Sequence, residues 1–357
     1  MPATPASRVR DRPRVPVEDL TVLLLTHPGG PVLLQAFDAL LQQDRRPDRI
    51  VVTGLGADDA EIDDARDHPL VAERGVDLVV RDRLPDPDGE APLWRVVEDG
   101  RAELPVAPRH WIWILHDDSV PEPDALAELI EATQRSSGVG VAGPKLVRSD
   151  DPRRLISVGQ QLTRGGRVVD AHVARELDQG QHDERLDVIG VPLAGMLVRS
   201  DVLDEVGGVE RAFDHGAEGL DLSWRSHLAG HRVVVATDAV IRQGPLGHPP
   251  ASLATRRRVR QVALARGSVW AAPWRTLVIL LTSVLAGLGL LLVKRPSQAA
   301  ASFADAGAVL TPWRGLGARW RFRGRTRVHR RDLSGLFAPA ASAWQGTGDT
   351  VHEALVD

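Results

Sequence analysis

Two adjacent carboxylates, Asp117 and Asp118, end the apolar run in WIWILHDDSVPEP, residues 111–123. Side-by-side anions repel, so a fold keeps such a pair where a cation or solvent offsets the charge. A hard divalent cation that also touches a diphosphate needs only one or two carboxylates and open positions. Asp117 and Asp118 meet that need at the carboxyl end of a strand. An Asx turn leading into Pro121 and a helix capped near Asp124 accounts for the same residues without a ligand. Two further carboxylates, Glu218 and Asp221 in AEGLDLSWR (217–225), fall at or in the first turn of a helix. There the helix dipole favours the ionised form, worth a few tenths to about 1 kcal/mol, and makes each a weaker base. Thr26 and His27 follow another apolar run; His27 could hold a phosphate, although Pro28 and Pro31 suit a turn. THPGGP lacks the G-K-[ST] ending of a Walker loop. Zero cysteines exclude disulfides, thiolate metal sites and thiol nucleophiles.

Strands must stand behind these residues. Short apolar runs at 20–26, 49–53, 76–80, 111–115 and 139–143 read as buried strands, and helical spacing appears at 32–42 and 124–135. The alternation indicates an α/β fold with a mainly parallel central sheet and helices on both faces. Ligands in such sheets bind beyond the carboxyl ends of the strands, which gives weight to 26–28, 54–59 and 116–119. Further on, 164–167 reads as a hairpin turn, and 188–192 and 196–199 as extended pieces. Ser200 or Asp201 is expected to cap a short helix ending at Val206. A helix over 220–229 closes at Gly230, and 233–236 forms a last strand.

The chain has 357 residues, of which 43% are apolar, enough for a large core and for two domains, or one large domain with an appendage. Its net charge of -4 hides a split: residues 251–357 hold 16 Arg and Lys against 5 Asp and Glu. An acidic body with a basic tail points to an anionic partner for the tail. Within that tail, residues 276–293 (TLVILLTSVLAGLGLLLV) carry no charge. As a helix they span about 27 Å, near the thickness of a hydrocarbon layer. Basic residues flank both ends, so a short span and a helix lying among anionic headgroups both fit; a buried core helix is the plain alternative. The run 314–331, with its arginines and Trp320, has the composition of a nucleic-acid patch. Beside a long apolar helix the membrane surface is the simpler partner, and no nucleic acid is expected.

Six strings in order, LTVLLLTHPGG, RIVVTGLGADD, WIWILHDDSVPEPDALAEL, GVGVAGPKL, VPLAGMLVRSDVLDEVGG and LDLSWRSHLAGHRVVVATDAVIR, resemble the family 2 glycosyltransferases of the GT-A fold, in a membrane-associated bacterial branch. The resemblance covers about residues 18–245. It implies transfer of a sugar from a nucleotide-sugar donor to an acceptor hydroxyl with inversion at the anomeric carbon. HDDS falls on the family's D-x-D motif, which makes Asp118, with Asp117 beside it, the expected ligand of Mg²⁺ or Mn²⁺. GLGADD falls where the family holds base and ribose, with Asp58 and Asp59 as the contacts. Thr26, His27, Asp117 and Gly195 are the other expected donor contacts. The family carries its catalytic base in an E-D pair before D-L-x-W-R; aligned there, Gly219 sits where the base is expected and Glu218 is adjacent. Glu218 is then the base and Asp221 a support or acceptor contact.

This sequence departs from the family pattern at His116, Gly54, Gly219 and Gln243. The glycine at 219 leaves open a second reading, a degenerate GT-A domain that binds a nucleotide or partner at the membrane. A nucleotidyltransferase shares the α/β sheet, but its basic glycine-rich loop after the first strand is missing. The expected organisation is a disordered lead-in at 1–17 and a GT-A domain at 18–250. A basic juxtamembrane segment at 251–275, a transmembrane or interfacial helix at 276–293 and a basic tail at 294–357 follow. The expected acceptor is a cell-envelope or lipid-linked glycan, met on the cytoplasmic face of a bacterial inner membrane.

Overall fold

The computed structural model describes residues 17–26, 33–54, 59–81, 84, 92–102, 104–135, 137–163, 169, 176–184, 186–214, 216–244, 253–292, 294, 296–307 and 312–339. His27, Asp58 and the expected turn at 164–167 lie outside the described residues, and of Asp59 only the backbone is described.

The first half runs β1 (Asp19–Thr26), α1 (Leu33–Leu41), β2 (Arg49–Gly54), α2 (Asp59–Arg66), α3 (Pro69–Arg74), β3 (Asp77–Val80), α4 (Leu93–Arg101), β4 (His110–His116), β5 (Ser119–Pro121) and α5 (Ala125–Arg135). It continues through β6 (Val139–Arg148), β7 (Leu155–Val158), β8 (Met196–Arg199), α6 (Ser200–Val206), α7 (Glu218–Ala229) and β9 (Arg232–Gln243). Four helices follow, α8 (Leu253–Arg266), α9 (Ala272–Leu292), α10 (Pro296–Ala306) and α11 (Pro312–Arg321), then a 3-10 turn at Arg330–Leu336. The sheet order is β3-β2-β1-β4-β8-β6-β9-β5, with β7 paired to β6. β3, β2, β1 and β4 pair in parallel, and so do β6 and β9, while β8 runs antiparallel between β4 and β6. Thr26 pairs with Gly54 and Leu25 with His116, so β1, β2 and β4 end level at one edge.

Successive strand residues face opposite sides of a sheet, and both sides are filled. Leu23, Leu25, Ile112 and Ile114 face one apolar cluster, and Leu20, Val22, Leu24, Trp111, Trp113 and Leu115 face the other. α1 covers the second side with Phe37 and Leu40, and α7 covers the first with Leu220, Trp224 and Leu228. This explains why β1 and β4 read as continuous apolar runs instead of alternating ones. The first cluster continues past residue 250: Val259 and Val262 of α8, Ala318 of α11, Phe322 and Leu333 all join it.

Helix α9 stands outside this core. Leu281, Leu285 and Leu292 are 52%, 60% and 85% exposed, which rules out the buried core helix. Its 21 residues are long and apolar enough to cross a membrane by length and composition. Two local expectations also change. Arg199, not Ser200 or Asp201, occupies the cap position of α6; the Ser200 hydroxyl instead bonds both the N–H and the carbonyl of Ala107, at 2.9 and 3.0 Å. Residues 188–192 join no named strand: Gly190 bridges Gln160, and neighbouring Asp187 bridges Val234 on β9.

Candidate active site

The acidic turn is pinned to the strands on both sides of it. The Asp117 N–H donates to the Leu25 carbonyl at 3.0 Å, which ties the turn to β1. The His116 N–H donates to Ser119 Oγ at 3.2 Å, and Ser119 Oγ donates to Gln243 Oε1 at 2.7 Å. The Gln243 amide in turn donates to Asp118 Oδ1, and the Gly244 N–H to the Asp118 carbonyl at 2.9 Å. Thus Gln243, at the end of β9, aims the Asp118 carboxylate through its amide. A Cβ at Gly244 would sit 2.8 Å from Asp118 Oδ2, so the chain leaves β9 through a space kept clear beside that oxygen. Among the described residues no three His, Asp or Glu side chains converge on a common point. The donor set fits a hard cation that takes one or two carboxylates and completes its shell with diphosphate oxygens and water, not a caged structural ion.

At the same edge, Thr26 ends β1 with its hydroxyl 3.5 Å from the Thr53 carbonyl. Gly54 has φ +142°, and a Cβ there would lie 2.4 Å from the Thr26 carbonyl oxygen. An acidic side chain at 54 is therefore excluded by close approach of two parallel strands, a steric cause independent of the ligand.

Residues 191–195 form a strap between β4 and α7. The Gly195 N–H donates to the Ile114 carbonyl at 2.8 Å and Trp113 Nε1 to the Gly195 carbonyl at 3.1 Å. At its other end the Val191 N–H donates to Ser223 Oγ of α7 at 3.2 Å. The first turn of α7 presses on this strap: a Cβ at Gly219 would lie 2.4 Å from the Leu193 nitrogen and 2.5 Å from the Val191 carbonyl oxygen. Glycine at 219 is what permits the helix to seat there.

Glu218 begins α7 and is only 5% exposed. Burial pushes its carboxyl up to about 7, and the negative charges of Asp214 and Asp221 push the same way, against the backbone amides of Glu218 and Gly216. The expectation that the helix dipole makes Glu218 a weak base is corrected here: desolvation outweighs the dipole. Asp221, one turn on, is fully buried. Arg225 Nε donates to its Oδ2 and Arg266 Nε to its Oδ1, both at 2.6 Å. Burial raises its pKa, but the two guanidiniums outweigh that and hold it below the usual carboxylate range. Arg266 also lies 3.6 Å from Glu210, which Arg321 of α11 contacts at 3.0 Å. The helix carrying Glu218 is thereby clamped to α8 and α11. Glu210, Arg266 and Arg321 are not among the residues that local pattern selects, because their partners lie 45 to 111 positions away.

The family model described as "Glycosyltransferase like family 2" matches residues 19–263, more than half of the chain. The chain belongs to the family 2 glycosyltransferases. The chain has the GT-A fold, a mixed α/β sheet with the apolar helix α9 beyond it. Among solved structures it is similar to GalNAc-T7 crystallised with UDP, GalNAc and Mn²⁺, at 11% identity and TM-score 0.49, over 69% of this chain and 47% of that one. It is also similar to the mannosyltransferase PcManGT from Pyrobaculum calidifontis in complex with GDP-Man and Mn²⁺, at 14% identity and TM-score 0.44, over 97% and 85%. TarS from S. aureus gives 11% identity and TM-score 0.42, over 74% and 42%. The chain thus spans about half the length of GalNAc-T7 and of TarS. No protein of curated function matches it.

Proposed function

We propose that the chain is an inverting, metal-assisted glycosyltransferase that moves a sugar from a nucleotide-sugar donor to an acceptor hydroxyl, with Glu218 as its base. The observation that carries this reading is the buried Glu218 carboxyl, raised to about 7 at the start of a helix held by the strap to β4. A general base works best with a pKa near the working pH. In the reaction the acceptor oxygen attacks the anomeric carbon, Glu218 takes its proton, and the bond to the diphosphate breaks with both electrons leaving on the nucleotide. Asp118, with Asp117 beside it, would hold the Mg²⁺ or Mn²⁺ that offsets charge on the departing diphosphate. Thr26, His27, Asp58, Asp59 and Gly195 are assigned to the donor, and Asp221 to holding the base helix. The exposed apolar α9 and the basic C-terminal third favour a membrane-bound protein. A cell-envelope or lipid-linked acceptor at the cytoplasmic face of a bacterial inner membrane suits cytosolic nucleotide sugars.

The second reading, a degenerate domain that binds but does not transfer, rests on Gly219. The close approach at 219 weakens it, since that glycine has a steric cause. Thermal shift with UDP- and GDP-sugars, with and without Mn²⁺, tests the donor site. A donor at about one hundred times its Kd should stabilise the protein by about 2.7 kcal/mol. The stabilisation should require Mn²⁺ and vanish in Asp118→Asn. An unchanged Mn²⁺-dependent shift in that variant would remove Asp118 from the metal site. Binding without donor hydrolysis or transfer would leave the second reading.

A further inference from the structure

Between α8, α9 and the C-terminal segment lies a cavity of about 1360 Å³ that the transfer chemistry above does not use. Arg275, Arg319 and Arg330 line it together with Trp270, Trp274 and Val278. Trp270 lies just before α9 and Trp274 in its first turn; they are 95% and 67% exposed, so this part of the lining continues onto the surface that a bilayer around α9 would cover. Tryptophans in that position are typical of the level where headgroups meet hydrocarbon.

The arginines gather around the last carbonyls of α8. Arg319 Nη1 donates to the Ala265 and Gly267 carbonyls at 3.0 Å each, and Arg330 Nε to the Arg266 carbonyl at 2.8 Å. Among the described residues neither pairs with a carboxylate. Burial lowers the pKa of both, and neighbouring guanidiniums lower it further: Arg330, Arg266 and Arg275 for Arg319, Arg266 for Arg330. A fold gathers like charges in a recess at a cost that an anion would relieve. Guanidinium forks match phosphate oxygens in particular. The cavity also reaches the base helix: Trp224 lines it, six residues from Glu218 and so about 9 Å along the axis.

We propose that this cavity binds the phosphate headgroup of a lipid, with the arginines on the phosphate and the tryptophans and α9 on the chain. Resting on the glycosyl-transfer reading, the inference narrows the acceptor to a hydroxyl or sugar carried on a phosphorylated lipid.

The test is direct binding to the full-length protein in phosphatidylcholine nanodiscs, with no donor present, so it reads independently of transfer. The probes are farnesyl diphosphate, dihexanoyl phosphatidic acid and inorganic diphosphate. The charged lipids should bind more tightly than inorganic diphosphate. Each arginine lost should weaken the lipids about fivefold, and the double variant Arg319→Gln/Arg330→Gln about 30-fold. Arg319→Lys/Arg330→Lys keeps the charge and loses the fork, so it should bind more weakly than the parent and more tightly than the double Gln variant, which separates lost charge from lost folding. Arg323→Gln, which removes a cation stacked on Trp320 outside the cavity, should bind as the parent does. Inorganic diphosphate binding as tightly as farnesyl diphosphate overturns the lipid assignment. Equal losses in Arg323→Gln and the double Gln variant, or no loss in the latter, overturn the site. Donor binding with Mn²⁺, measured on the same samples, reports on the transfer reading separately.

Discussion

Glu218→Gln keeps the shape of the side chain and removes its charge, and the structure fixes what that should do to stability as well as to rate. The folded-state carboxyl sits at about 7 against an ordinary 4.5, chiefly through burial. At about 1.4 kcal/mol per pH unit the displacement corresponds to roughly 3 kcal/mol. Its sign follows from proton counting. Between about pH 4.5 and 7 the folded protein holds a proton that the unfolded chain has released. Stability therefore falls as pH rises through that window and levels off above it. At pH 8 the parent carries a buried anion that the glutamine variant lacks, so the variant should be more stable there by up to about 3 kcal/mol. At pH 4 the two should coincide. Denaturant titrations from pH 4 to 8.5 in a fixed detergent measure this difference. The same substitution should lower the transfer rate by about 10²–10⁴, and kcat/KM of the parent should rise with pH and plateau above about 7. A stability difference that ignores pH would show that the carboxyl is not held in a desolvated site. Undiminished transfer by Glu218→Gln would remove it as the base.

Restoring the family's acid with Gly219→Asp should lower activity, because its Cβ would lie 2.4 Å from the Leu193 nitrogen; crowding of this kind costs about 1–3 kcal/mol or more. A folded Gly219→Asp protein with higher transfer than the parent would move the base to 219. Asp221→Asn should cost about 3–5 kcal/mol, since it leaves the buried Arg225 and Arg266 without their shared carboxylate. The parent's own stability should fall in acid, below the ordinary Asp range, as Asp221 takes a proton. An unfolding free energy of Asp221→Asn within about 0.5 kcal/mol of the parent's would sink the clamp role.

What the sequence by itself determined is local in nature. The apolar runs of β1 and β4 and the turn signals after them placed Asp117 and Asp118 at a strand end, because burial on both faces demands unbroken apolar residues. Gly230 marked the end of α7, where its φ of 90° is needed. A long apolar helix was legible in eighteen uncharged residues, whereas its exposure was decided by the fold. The tertiary structure decided what those residues can do. Gly54 and Gly219 look like lost functional acids in the chain, yet each is a close approach of backbone segments distant in sequence. Glu218 and Asp221 look alike, two acids in one helical turn. One is desolvated and raised to about 7, while the other is held ionised by two arginines, one of them 45 residues on. A carboxylate's behaviour depends on the dielectric and charges around it, and those come from chain segments that only folding brings together.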